Sequence, residues 1–341
     1  MTLGAFNAPQ LGSWPGAFAA SGGGRVVPVS ALAQSDSFAP VQETGYQLIS
    51  PFARLVFTTS AGFLTVSTVN TWTGGGGGEY GVAIGAGAPT IADTMAATDT
   101  RTFTLGTPGT PKTITITGGP HSLGTPEIGA FPVVLSVPAP YRIAAVPVTP
   151  PTRRIVVYGD SITVGLYATE LITQGWAMLV RADYPGQLSM DAYAGRSLFR
   201  DNAVDGIPAL CAVLASMADA TVTNEIYLAI GTNDWGFDGY PVRSVFTTRY
   251  TALLTGIRAL TAAKVWAQSP IPRTDKAVNA YGDTLAQYRT CISDAVTAAA
   301  ISDCTYVDGT TWAVALNPDG IHPTTAGHAS LKALVKTAVG Y

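Results

Sequence analysis

Arg154-Ile-Val-Val-Tyr-Gly-Asp-Ser161 is the stretch on which the fold turns. Its apolar run halts at Gly159-Asp160-Ser161, and helix-forming sequence continues to about Ala182. A short apolar run closed by turn residues and followed by helical sequence reads as a buried parallel strand feeding a helix. Downstream the pattern recurs. Glu225-Ile-Tyr-Leu-Ala-Ile230 and Lys264-Val-Trp-Ala-Gln268 each end at Gly, Asn or Pro, or close to one. Amphipathic stretches run from Val204 to Ala218 and from Val245 to Ala263. Two further helices are expected over Asp283 to Ala300 and Thr324 to Val339. Alternating strand and helix imply a parallel sheet with helices on both faces, whose functional sites collect at the carboxyl ends of the strands.

Upstream the pattern is different. Lys112-Thr-Ile-Thr-Ile-Thr117 alternates, putting Ile114 and Ile116 on one face and threonines on the other. Arg54-Leu-Val-Phe-Thr58, Gly62-Phe-Leu-Thr-Val66 and Phe131-Pro-Val-Val-Leu-Ser-Val137 are further strand candidates, separated by turn residues. Short strands with Gly and Pro punctuation predict an all-β sandwich or jelly roll for residues 1–150. The glycines from Gly74 to Gly78 are not followed by Gly-Lys-Ser/Thr, so they form a surface loop and not a phosphate cradle. The prolines from Pro138 to Pro151 mark a stiff linker, and the second domain is expected over 151–341.

With 341 residues, two domains are the better prior. Charged residues make up 12% of the chain, about half the usual share. A net charge of -3 gives no electrostatic reason to bind nucleic acid or an anionic membrane. No apolar stretch is long enough for a transmembrane helix. Met1 to Gln10 lacks the basic start and apolar core of a signal peptide, which leaves localisation, secretion included, undetermined. Of the cysteines, only Cys291 and Cys304 are candidates for a bridge. With three histidines and no CxxC, no structural zinc is expected. Oligomeric state is not legible.

A serine hydroxyl becomes nucleophilic when a base takes its proton and a third group orients that base. The developing oxyanion needs donors held in place beforehand. Ser161 follows the first strand and opens a helix, so its N–H points toward the site with a helix dipole behind it. Asp319-Gly-Ile-His322 precedes the last helix, and an aspartate three residues ahead of a histidine on a tight loop reaches Nδ1–H and leaves Nε2 for the serine. Gly195 stands where a second strand should end and offers a backbone N–H. Asn233, in Gly231-Thr-Asn-Asp234, offers a side-chain amide, with Asp234 bonding loop backbone beside it. Arg196 and Trp235, close neighbours of those donors, are candidate substrate contacts. The residues alone leave alternatives. Ser161 can be a plain helix cap and Asn233 a turn former. His121 and His328 compete as base, and Asp308 competes as acid.

Gly159-Asp-Ser-Ile162, Gly195, Gly231-Thr-Asn-Asp234 and Asp319-Gly-Ile-His322 match, in order, the four blocks of the SGNH hydrolases, the GDSL-type esterases, and the resemblance spans about Ile155 to the C-terminus. It implies a three-layer, flavodoxin-like α/β sheet and a serine esterase needing no metal or organic cofactor. Carried over by position, Ser161 is the nucleophile, His322 the general base and acid, and Asp319 its orienting partner. The oxyanion hole would be the N–H groups of Ser161 and Gly195 with the Asn233 amide. The Gly-x-Ser-x-Gly elbow of α/β-hydrolases is broken by Thr163.

The family acts on short acyl esters, lipids, thioesters and acetylated sugars, so the fold alone does not fix the substrate. Gly159-Asp-Ser-Ile-Thr163 looks similar to acetylxylan-esterase-like members. A β-sandwich fused to the catalytic domain resembles carbohydrate esterases, and no apolar stretch suggests a lipid lid. The expected substrate is therefore an acetylated carbohydrate or small acyl ester. The alternatives are a general short-chain carboxylesterase, and a polysaccharide-binding or adhesion protein with an inactive hydrolase domain. Trp14, Trp72 and Tyr80 are candidate sugar-stacking aromatics, against the ordinary reading of sandwich aromatics as core.

Overall fold

The computed structural model describes residues 54–69, 78–94, 98–118, 131–138, 140–145, 152–192, 194–199, 206–217, 223–237 and 242–341, and the strands at 19–21, 26–28 and 42–48. His121, Trp14, Trp72 and the glycine run up to Gly77 lie outside them.

The first part is all β. Its strands are β1 (Ala19–Ser21), β2 (Val26–Pro28), β3 (Gln42–Leu48), β4 (Arg54–Thr59), β5 (Phe63–Val69), β6 (Gly78–Ile84), β7 (Thr90–Thr94), β8 (Thr98–Thr104), β9 (Lys112–Gly118), β10 (Phe131–Val137) and β11 (Ile143–Ala145). One antiparallel sheet runs β1-β4-β9-β6-β7, with β11 also on β4; the other runs β2-β3-β10-β5-β8. Strands β3 to β10 interleave between the two sheets in jelly-roll order. Phe57, Leu64, Val66, Tyr80, Ile114 and Leu135 from both sheets share one core. Tyr80 is thus core and offers no stacking surface.

The alternation of β9 has a twist. Thr115 and Thr117, on the supposed solvent face, are also buried, at 8% and 9% exposure. They line a groove of about 380 Å³ together with Ile172, Met178 and Arg181, so the outer face of this sheet lies against the second part of the chain.

That second part holds β12 (Arg153–Gly159), β13 (Gln187–Ala192), β14 (Thr223–Ala229), β15 (Lys264–Gln268) and β16 (Cys304–Val307). They form one parallel sheet in the order β13-β12-β14-β15-β16. This is the doubly wound, flavodoxin-like order, whose switch point lies beside the first strand. Its helices are α1 (Ser161–Val164), α2 (Leu171–Gln174), α3 (Trp176–Asp183), α4 (Gly206–Met217), α5 (Thr232–Gly236), α6 (Arg243–Leu260), α7 (Leu285–Ala299) and α8 (Thr325–Val339). Successive β12 residues alternate faces. Ile155 and Val157 join the core that includes α3 and α8, while Val156 and Tyr158 join the one beneath α4, α6 and α7. A strand buried on both faces must be apolar throughout, which is why it reads as an unbroken run.

One expectation is corrected. The helix expected from Ser161 to Ala182 is three short pieces. Gly165 ends the first with φ +93, and a Cβ there would lie 2.7 Å from the Gly175 Cα, so the two glycines let the turns pack. With only four residues, α1 supplies little dipole. Cys291 and Cys304 are unpaired, as is Cys211. Among the described residues no helix is long and apolar enough to cross a membrane.

Candidate active site

Strand β12 is flanked by β13, with Gly159 level with Ala192, and by β14, with Gly159 level with Ala229. The loops leaving these three strands therefore emerge side by side. The first carries Ser161, the second Gly195, the third Asn233.

Asp160 caps α1 by accepting the Ile162 N–H at 2.9 Å. The Ser161 Oγ lies 2.8 Å from His322 Nε2. His322 Nδ1 lies 2.6 Å from Asp319 Oδ2. The other Asp319 oxygen accepts the backbone N–H groups of Ile321 and His322 at 2.9 and 3.1 Å. Desolvation pushes the Asp319 carboxyl up, but the bond from the His322 ring and those two N–H groups outweigh it and hold the group below its usual range. An ionised Asp319 can only accept, so Nδ1 carries the imidazole proton and Nε2 accepts from the serine hydroxyl. The loop is fastened in turn, because Asn317 donates its N–H to the His322 carbonyl at 2.8 Å.

Gly195 has φ +79, a left-handed geometry that a side chain would strain. Asn233 donates from Nδ2 to the Arg196 carbonyl at 2.9 Å. Asp234 accepts the N–H groups of Leu198 and Phe199, each at 3.1 Å, so the third loop clamps the second. That is the backbone role expected of it.

Arg196 and Trp235 occupy supporting positions instead of the substrate contacts expected. Arg196 is 7% exposed, and its guanidinium pairs with Asp191 at 2.7 Å and sits 4.4 Å over the Tyr158 ring. Trp235 is 1% exposed and donates its indole N–H to the Asp283 carbonyl at 2.9 Å. It stands two residues after Asn233 in one helical turn, and residues so spaced face opposite ways. Arg273 lies over its ring and donates to the Thr232 carbonyl at 2.9 Å, bracing the loop.

The rival residues stand elsewhere. Asp308 accepts the Thr310 N–H at 2.9 Å, as a turn residue does. His328 is wholly buried and its Nε2 lies 3.2 Å from the Leu166 carbonyl. Among the described residues no group of His, Cys, Asp and Glu is arranged to hold a metal ion.

Asp160 is the residue whose titration sequence reading missed. Desolvation lifts its carboxyl from 3.8 to about 6, against the Ile162 N–H and the nearby His322 and Arg273, which lower it. The folded state therefore holds this proton more tightly than the unfolded chain. The stabilisation is complete below about pH 3.8 and lost as pH rises through about 6; the difference corresponds to about 3 kcal/mol. Asp160→Asn keeps an acceptor for the Ile162 N–H without the charge. It should raise the thermal midpoint by about 5 °C at pH 8 and by little at pH 4. Equal gains at both pH values in a thermal scan would count against titration at Asp160.

The GDSL-like lipase/acylhydrolase family model matches residues 157–330, a little over half of the chain. By sequence, no curated protein matches it. Solved structures do. A family two carbohydrate esterase from Cellvibrio japonicus superposes with a TM-score of 0.67 at 17% identity, covering 93% of this chain and 97% of that one. The corresponding figures for a family two carbohydrate esterase from Clostridium thermocellum, solved with cellohexaose, are 0.64, 17%, 87% and 95%. For the salicylyl-acyltransferase SsfX3 of a tetracycline biosynthetic pathway they are 0.65, 14%, 93% and 98%. At such identities the likeness is one of fold, and it takes in the β-sandwich as well as the parallel sheet. With three motif blocks in the loops after β12, β13 and β14, a fourth just before α8 and a family model spanning them all, the chain belongs to the GDSL-like lipase/acylhydrolase family and is a carboxylic ester hydrolase.

Proposed function

We propose that the protein is a serine esterase that removes short acyl groups, chiefly O-acetyl groups from carbohydrate. Residues 151–341 would be its catalytic unit and residues 1–150 an accessory one. The observation that carries the mechanism is the chain of contacts from Ser161 Oγ to His322 Nε2 at 2.8 Å and from His322 Nδ1 to Asp319 at 2.6 Å. Ser161 attacks the acyl carbonyl while its proton passes to Nε2. The oxyanion forms between the N–H groups of Ser161 and Gly195 and the Asn233 amide, whose second hydrogen is not committed to the Arg196 carbonyl. His322 then returns the proton to the leaving alkoxide, and the acyl group stays on Ser161. Water attacks that ester with His322 again as base, and the acid and the free serine result. Asp319 orients the ring and stabilises the imidazolium throughout.

The carbohydrate part rests on the fold neighbours. Those named as carbohydrate esterases share both halves of this architecture, and one was solved with a cello-oligosaccharide. Acid release should be fastest from acetylated xylan and simple sugar acetates, falling by at least about tenfold for butyrate and longer esters of the same alcohols. Equal rates on acetate and octanoate esters of non-sugar alcohols would point to a general carboxylesterase.

A further inference from the structure

The turn that breaks the helix after Ser161 carries an aromatic ring that the hydrolysis steps leave unused. Tyr167 has φ +68, one of two non-glycine residues with positive φ among those described, and it is 55% exposed. A bulky residue in the left-handed region is strained and persists only where its surroundings fix it. Here they do, from both sides. The Leu166 N–H donates to the Ser161 carbonyl at 3.0 Å, and the buried His328 meets the Leu166 carbonyl at 3.2 Å. On the other side the Thr169 N–H donates to Thr325 Oγ1 at 2.9 Å. Burial lowers the His328 ring's affinity for protons, only partly opposed by its bond to Leu166. The result is a tyrosine held in solvent with its ring centroid 5.3 Å from that of His322.

That position selects one part of the substrate. His322 hands its proton to the departing alkoxide, so the alcohol of the ester leaves on the His322 side, opposite the oxyanion donors. A ring packed against His322 therefore borders the alcohol and not the acyl group. An exposed aromatic face carries negative quadrupolar charge and attracts the weakly positive C–H face of a pyranose. We propose that Tyr167 is a substrate-positioning residue, a platform on which the sugar ring of the leaving alcohol stacks. This rests on the serine-esterase reading above.

The test compares a mono-acetylated methyl xyloside with ethyl acetate, by acid release at constant pH. Tyr167→Gly suits the left-handed backbone and should fold with a thermal midpoint at or above that of the parent. It should lower the ratio of kcat/KM on the sugar ester to that on ethyl acetate by about tenfold, mainly through KM. Tyr167→Phe should keep the ratio within about twofold. An unchanged ratio, with both esters slowed alike, would make Tyr167 a mere cover for His322 and overturn the proposal. Binding separates this from the chemistry. Xylo-oligosaccharide titrated into Ser161→Ala, followed by saturation-transfer NMR, should bind about tenfold more weakly when Tyr167→Gly is added. Equal binding overturns the platform whether or not the serine mechanism stands, and loss of binding supports it in either case.

Discussion

Ser161→Ala should lower kcat on 4-nitrophenyl acetate by roughly 10⁴- to 10⁶-fold, with the thermal midpoint close to that of the parent. The stability expectation follows from the small number of bonds involved. The hydroxyl meets His322 Nε2 at 2.8 Å, and the backbone carbonyl and N–H of residue 161 are unaffected by the change. The kinetic expectation follows from what the hydroxyl does. On the proposed mechanism no acyl-enzyme forms without it, and His322 is left to direct water at the ester. Residual catalysis should persist, because the proposed oxyanion donors at positions 161 and 195 are backbone groups and Asn233 is untouched. Equal steady-state rates for the two proteins would sink the serine mechanism. Inactivity of both on every ester would favour a binding protein. The wild-type enzyme should also show a burst of nitrophenol with activated esters whenever deacylation is the slower step.

The fold and the loops that carry the candidate site were readable in the sequence for the same reason. Parallel strands buried on both faces must be apolar without interruption, so β12, β14 and β15 stand out as runs, and the reactive loops follow directly at their ends. The Asp319–His322 contact was legible because its spacing is short, the carboxylate having to span just three residues to reach the ring, whereas the approach of Ser161 to His322 across 161 residues follows from the fold. What was not legible depends on direction and on contacts distant in sequence. Trp235 lies beside a site residue in the chain, but the helical turn of α5 points it into the core. Arg196 is drawn inward by Asp191 and Tyr158, neither of which its own motif announces. The single helix expected after Ser161 fails at Gly165 because Gly175, ten residues later, comes close enough to need two glycines. Thr115 and Thr117 alternate as solvent-facing residues do, yet they are buried and line a groove shared with α2 and α3, which only the tertiary arrangement reveals.

His322→Ala should lower kcat about as far as Ser161→Ala does, whereas His328→Ala should keep it within about tenfold and lower stability instead. The two histidines are six positions apart, and both rings bond through Nε2. Their partners differ. His322 Nε2 meets the Ser161 hydroxyl and its Nδ1 meets an ionised carboxylate, so the ring can accept a proton and hold it. His328 has no exposed surface and meets the carbonyl of Leu166, so its Nε2 must be a donor and cannot take a proton from serine. Burial lowers its affinity for protons, only partly opposed by the Leu166 carbonyl, and the charge of a protonated His322 lowers it further. Removing that ring leaves a buried void and a carbonyl without its donor, a loss of about 2–4 kcal/mol. That should appear in thermal denaturation, and the loosened Leu166 carbonyl should also raise KM for sugar esters by freeing the Tyr167 turn. For His322→Ala the signature is different: the thermal midpoint should hold, and added imidazole should restore part of the rate by occupying the space beside Ser161. Turnover surviving in His322→Ala and vanishing in folded His328→Ala would reverse the assignment of the base.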